Sequence, residues 1–260
     1  MTHSLPLTGE RTVPGIPHEN YWFQRHVVAY RFARARIRGL AVMDAGCGEG
    51  YGAAMLADAA SAVTGVELVP DVVAHAKAAY PPAAHPGLSF VEADLCRLPM
   101  PDASFDAVVS FQVIEHLPDV GGYLDEIRRV LKPGGEFLCA TPNRLTFTPG
   151  SDTPVNPFHV KEFTAAELAE CLGSRFRVKA VLGVHHGGRI KALERLARKP
   201  VTDLQFAAPP DEWPRWLRTA IAAVQPRDFT LKAADVDASL DLVAVAQRPP
   251  TPKARVEPAA

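Results

Sequence analysis

The chain has 260 residues and a mass of 28.1 kDa, enough for one substantial α/β domain with a modest insertion. Hydrophobic residues make up 47 % and charged residues 22 %, and 28 Lys and Arg against 29 Asp and Glu leave a net charge of −1. That balance excludes a globally cationic surface for nucleic acid, and no apolar run approaches the roughly 18 residues of a membrane span, so no stable membrane insertion is expected.

The first residues, Met1-Thr2-His3-Ser4-Leu5-Pro6, have neither the basic start nor the apolar core of a signal peptide, and a cytoplasmic location is expected. Residues 1–39 read as a leader. It has turn residues, then Tyr21, Trp22, Phe23, Arg25 and His26 close together, then a helix-like basic stretch from Val27 to Arg38. The aromatics suit either core packing on a sheet or a lid over a ligand, and Arg25 suits a carboxylate partner. From residue 40 short apolar runs alternate with amphipathic stretches. Strands are predicted at Leu40 to Met43, Ala62 to Val66, Leu88 to Val91, Phe105 to Phe111 and Phe137 to Ala140. A helix opens at Pro70, and another carries Tyr123, Leu124, Ile127 and Leu131 until Pro133-Gly134-Gly135 stops it. Continuous apolar strands joined by helices imply a parallel sheet covered on both faces.

Further on, Thr164-Ala165-Ala166-Glu167 reads as a capping box with Phe163 and Leu168 as its staple. Residues 176–182 alternate as a strand with one wet face, and Leu240 to Ala246 is a last strand, reached through a helical insertion at about residues 185–227. The insertion carries Arg189, Lys191, Arg195, Arg198 and Lys199, either a solvated face or a dock for an acidic or acylated glycan. Trp213 and Trp216 suit core packing or a homodimer contact. Residues 248–260 hold four prolines and little apolar content, and are expected to be disordered. Cys47, Cys96, Cys139 and Cys171 form no C-x-x-C pair, so neither a zinc cluster nor a disulfide framework is expected.

The sharpest local signal is Asp44-Ala45-Gly46-Cys47-Gly48-Glu49-Gly50, between a predicted strand and a predicted helix. Glycines there permit positive φ and close backbone approach to a ligand, and a helix N-terminus beyond them offers N–H groups to an anion. Glu67 ends the second strand, where a carboxylate can accept both ribose hydroxyls, and Asp94-Leu95 follows the third, suited to an adenine. A dinucleotide oxidoreductase would place its third glycine at position 51, which is Tyr51.

This arrangement resembles motif I of the class I S-adenosyl-L-methionine (SAM) methyltransferases. Glu67, Asp94-Leu95, Phe105 to Val109 and Leu131 to Gly135 match their later motifs. The resemblance implies a Rossmann-like methyltransferase fold: a mostly parallel seven-stranded sheet with an antiparallel last strand. It implies SAM as cofactor, bound by Asp44, Gly46, Cys47, Gly48, Glu67, Asp94, Leu95 and Gln112. Leu7 to Thr12, Glu19 to His26, Phe111 to Leu117, Thr141 to Arg144 and Phe147 to His159 are further similar to the mycobacterial methyltransferases assigned to 6-O-methylation of methylglucose lipopolysaccharide. That similarity implies O-methylation of sugar hydroxyls on a cytoplasmic polysaccharide. Other acceptors stay open: a mannose polysaccharide, a glycolipid or a small phenol. So does a catalytically silent SAM-binding module.

A sugar hydroxyl is a poor nucleophile, so a base within hydrogen-bond reach is expected. His116 is the first candidate, since imidazole as a residue type exchanges protons near neutral pH; the alternative is a helix cap or pocket wall. Glu115 orients it or binds a sugar hydroxyl. His159, in Asn156-Pro157-Phe158-His159, is the second candidate, with a structural hydrogen-bonded role as the alternative. His185-His186 tempts a metal reading, but adjacent residues on a strand point apart. No metal is expected, although Glu115, His116 and His159 are residue types that ligate one.

Overall fold

A computed structural model describes residues 12–250. Residues 7–11 of the leader motif and residues 251–260 of the tail expected to be disordered lie outside the described residues, while Arg248 at the start of that tail is held by main-chain bonds to Gly134 and Gly135. Among the described residues, eight strands form one sheet: β1 (Ala41–Ala45), β2 (Ala62–Glu67), β3 (Leu88–Glu92), β4 (Phe105–Phe111), β5 (Leu131–Pro142), β6 (Arg177–His186), β7 (Phe229–Lys232) and β8 (Asp241–Gln247). Their order is β3-β2-β1-β4-β5-β8-β6-β7. β1 to β5 pair in parallel, while β8 is antiparallel to both β5 and β6, and β7 to β6.

Successive side chains of the central strands enter opposite cores, as the pleat dictates. Val42, Ala107, Val109, Leu138 and Ala140 join one core with α1 (Asn20–Arg36), α2 (Tyr51–Ala57), α3 (Pro70–Ala79) and the insertion helices α7 (Gly188–Ala197), α8 (Val201–Phe206) and α9 (Arg215–Ala222). Met43, Val108, Phe137 and Cys139 join the other with α4 (Val120–Val130) and α6 (Ala165–Gly173). A one-turn helix, α5 (Arg144–Phe147), follows β5. The Thr164–Glu167 capping box at α6 forms in both directions.

Two expectations change. The sheet has eight strands rather than seven, because the return from the insertion pairs Phe229–Lys232 along the outer edge of β6. The leader helix starts at Asn20, ahead of Val27, so the aromatic group is helical and packs on the sheet. Tyr21 is fully buried there, with its hydroxyl 2.7 Å from Nε2 of His186. Asn20 fixes the same end, its amide donating to the Ile221 and Ala222 carbonyls at the end of α9 and to the Val224 carbonyl just beyond it, at 2.9–3.1 Å. No helix among the described residues is long and apolar enough to cross a membrane.

Candidate active site

Chain order reverses between β1 and β4, which lie side by side in the sheet. The carboxyl ends of strands at such a switch point frame a ligand crevice. The glycine turn leaves β1 there, and residues 112–116 leave β4 beside it.

The turn is rigid because it closes on its own chain. Gly46 N and Cys47 N both donate to Val66 O, at 2.8 and 2.9 Å, and Gly50 N donates to Cys47 O at 3.0 Å. These three amides are therefore committed within the turn, and the N–H groups expected to face an anion are those of the α2 N-terminus beyond it. What the glycines provide is shape. Gly46 has φ +76°, and a Cβ on it would lie 2.4 Å from Cγ2 of Val113. Asp44 is fully buried beneath the turn and accepts from the Tyr30 hydroxyl at 3.3 Å. Burial pushes its carboxyl up to about 7, against the pull of that hydroxyl. Cys47 is buried as well.

Glu67 meets the turn from the end of β2. Its Oε2 accepts from Gly48 N at 3.1 Å, and its Oε1 from Leu68 N and Val69 N at 2.9 and 3.1 Å. Three main-chain donors thus aim one carboxylate. Beside it Leu68 and Val69 leave apolar surface uncovered, at 62 % and 39 % exposure. Ala93 N donates to Glu67 O at 3.0 Å, which brings the β3 exit alongside. Asp94 there is exposed, with Oδ1 accepting from Cys96 N at 2.8 Å, and Leu95 is buried. A half-buried carboxylate, an adjoining bare apolar patch and a second carboxylate fit an adenosine.

At the other end of the crevice Gln112 holds φ +57°, a left-handed conformation that non-glycine residues enter at a cost. Its Nε2 lies 3.4 Å from Asp241 Oδ1. Asp241 also receives a bidentate pair from the buried Arg25, whose Nη2 donates to Leu240 O at 2.8 Å. Arg25, considered for a ligand carboxylate, thus ties α1 to the start of β8, and the Trp22 ring lies 5.3 Å from its guanidinium. His26 is half-buried next to it, with Nδ1 3.1 Å from the Thr12 hydroxyl, and burial pushes its imidazole down to about 4. The four leader residues form a packed wall of the domain rather than a detached lid.

Beyond β4 the chain makes one 3-10 turn, Ile114–His116. Val160 N and Lys161 N both donate to Glu115 O, at 2.7 and 3.2 Å, which ties the loop before α6 to this turn. The result is a cluster of Glu115, His116 and His159 whose ligating atoms lie within 4.8 Å of one another. His116 Nδ1 faces Phe158 O at 2.9 Å, so that nitrogen is the donor and, in the neutral ring, Nε2 is the one that bears the lone pair. His159 Nδ1 lies 2.8 Å from Glu162 Oε1, and its Nε2 lies 3.1 Å from the Asn156 amide nitrogen. Burial lowers the imidazole pKa of His159, with Glu162 opposing. Glu115 is fully buried, and its Oε2 accepts from Thr141 Oγ1 at 2.9 Å while Oε1 has no partner. Burial pushes its carboxyl up to about 8; Thr141 pulls it down, and Asp241 and Glu162 push it up.

Thr141, Glu162 and Asp241 also meet the candidate site, and none of the three was singled out as a site residue from the sequence. Glu162 had a local signal, three residues after His159; the other two meet the site only through the folded sheet. His185 and His186 lie on β6 outside this cluster, with His186 Nδ1 3.1 Å from Glu194.

The fold and site define an α/β protein with a crevice at the β1/β4 switch point that suits an adenosine-containing ligand. Residues 43–139 match the family described as Methyltransferase domain. A protein of Mycolicibacterium smegmatis named as a probable S-adenosylmethionine-dependent methyltransferase is 48 % identical over 252 residues, 95 % of this chain and 96 % of the relative. A protein of Mycobacterium tuberculosis with the same description is 44 % identical, over 94 % of this chain and 90 % of the relative. A SAM-dependent methyltransferase structure from Thermotoga maritima shares the fold at TM-score 0.61 and 15 % identity, covering 89 % of this chain and 94 % of that one. The chain belongs to the SAM-dependent methyltransferases, and S-adenosyl-L-methionine is its cofactor. The oxidoreductase and silent-module readings end there.

Proposed function

We propose that the protein O-methylates sugar hydroxyls of a cytoplasmic polysaccharide of the methylglucose lipopolysaccharide type. The observation that carries this is the Glu115–His116–His159 cluster at the methyl-accepting end of the crevice, where His116 keeps an open Nε2. Glu67, with Asp94, Leu95 and the glycine turn, would hold the adenosine, and the Gln112–Asp241–Arg25 end would adjoin the methionyl moiety. Bound there, SAM supplies an electrophilic sulfonium methyl group. The chain's own work is to orient an alcohol oxygen and accept its proton. His116 Nε2 is the acceptor in the metal-free protein. The Phe158 carbonyl holds its ring in the required tautomer and would stabilise the imidazolium. Glu115 is buried in the same cluster with one unpartnered oxygen, so that a second sugar hydroxyl would reach it only by entering the cluster.

The similarity to mycobacterial enzymes along nearly the whole chain supports a shared acceptor class. The test is transfer of labelled methyl from SAM to defined glucose and mannose oligosaccharides, followed by linkage analysis. Labelled 6-O-methylglucose is expected. Label only in a fatty acid, a phenol or water-soluble amines would overturn the sugar reading.

A further inference from the structure

Three features set the Glu115–His116–His159 cluster apart from an ordinary base and its supports. First, Glu115 is wholly buried and its Oε1 has no partner. A buried carboxylate oxygen without a donor is costly, and it is relieved by a proton, a water or a cation. Second, a neighbouring buried carboxylate shows the same deficit, because Oε2 of Glu162 is also without a partner. Among the described residues no Lys or Arg forms an ion pair with Glu115 or Glu162; His159 alone meets Glu162. Third, both imidazoles have their Nδ1 engaged by an oxygen, Phe158 O for His116 and Glu162 Oε1 for His159. That pattern fixes the tautomer and turns Nε2 outward, as in metal-ligating histidines supported by a carbonyl or carboxylate.

We propose that Glu115, His116 and His159 form a binding site for one divalent first-row transition-metal cation at the acceptor end of the crevice. Two imidazoles with one carboxylate are borderline donors, better matched to manganese through zinc than to magnesium or calcium, which prefer all-oxygen shells. The His116 and His159 rings stand 5.0 Å apart between centroids at 79°, and a ligating atom of each lies within 4.8 Å of the other, close enough for one cation to meet both. His159 must exchange the Asn156 amide at Nε2 for the cation, a side-chain movement in an exposed-loop segment. Three protein ligands leave coordination positions open. An acceptor hydroxyl in one of them would be made more acidic by the cation, so that its proton passes to solvent water while the O–CH3 bond forms and the S–CH3 bond of SAM breaks, with His116 then a ligand instead of the proton acceptor. That last role rests on the function proposed above; the ligation does not.

The test uses the full chain, stripped with a chelator and titrated with Co2+ while its visible absorption is followed. Saturation at one equivalent is expected. His116→Ala and His159→Ala should each weaken Co2+ binding at least about 10-fold, and Glu162→Gln by about 10-fold through loss of the His159 support. His85→Ala, outside the cluster, should leave it unchanged. Because the buried variants can fail to fold, a second measurement uses wild-type protein: Zn2+ should shift the imidazole nitrogen resonances of His116 and His159 and of no other histidine. Absence of saturable Co2+ binding, or Zn2+-shifted resonances at other histidines only, would overturn the site. Sugar methylation is scored separately. One bound Co2+ with no sugar product supports the site and counts against the acceptor reading, and sugar product without Co2+ binding does the reverse.

Discussion

Glu67 shows how much one carboxylate does when main-chain donors aim it. Its two oxygens take three amides, including the Gly48 N–H of the glycine turn, so the side chain joins β2 to the β1 exit while keeping lone pairs for a ligand. Glu67→Ala removes the proposed ribose acceptor and also the carboxylate that takes the Gly48 N–H of the turn. SAM affinity should fall by roughly 1–3 kcal/mol, measured by calorimetry; unchanged affinity would displace adenosine from this place. His116, the proposed proton acceptor, lies in the cluster beyond β4, away from Glu67. His116→Ala should lower kcat by about 10²-fold or more and leave SAM affinity within about twofold. Turnover close to wild type in the same assay would pass the proton to His159 or to water. The two variants separate cofactor holding from acceptor chemistry, since each moves one observable and spares the other.

The helix α1 and strand β8 meet through a single buried ion pair, Arg25 with Asp241, both side chains 3 % exposed. A buried pair contributes little net stability compared with an apolar pair of like shape, but losing one partner strands a charge. Arg25→Met should therefore cost about 3–5 kcal/mol in urea unfolding, and the double variant Arg25→Met with Asp241→Leu should recover most of that loss. Equal destabilisation in single and double variants would mean that α1 is held by its apolar face alone. This contact also marks where sequence reading stops. The turn at Gly46–Gly50, the acid at Glu67 and the alternation of strands with helices are local, and each carries its periodicity or its φ demand in a few neighbouring residues. Arg25 and Asp241 are 216 residues apart, and nothing near either one announces the other. The strand β7 was hidden for a related reason. Phe229–Lys232 has only four residues, too few to show a period, and it extends only because β6 presents an open edge. Arg25 looked free for a ligand because a lone arginine in an aromatic helix gives no sign of a distant aspartate.

At the scale of the whole molecule, the crevice is built over a buried acid, and the stability of the fold must follow that acid's titration. Asp44 lies fully buried on β1 with only a hydroxyl donor, and its carboxyl stands at about 7 instead of the usual 3.8. In the unfolded chain it titrates near its ordinary value, so between about pH 4 and 7 the folded protein holds a proton that the unfolded one has lost. The sign follows: this contribution is fully present below pH 4 and is lost as pH rises through 7. His26 works in the other direction, since its imidazole is pushed down to about 4 and folding releases its proton below roughly pH 6.5. A bare pH profile mixes these with Glu115, also pushed up by burial, and His159, pushed down, whereas the difference between wild type and Asp44→Asn isolates the one acid. Asparagine keeps an oxygen for the Tyr30 hydroxyl and has no charge to bury. In cofactor-free protein the variant should match wild type near pH 4 and exceed it by about 2–4 kcal/mol at pH 8, by denaturant unfolding at each pH. A constant difference across that range would show that Asp44 is already ionised in the fold, with the turn above it wet rather than sealed.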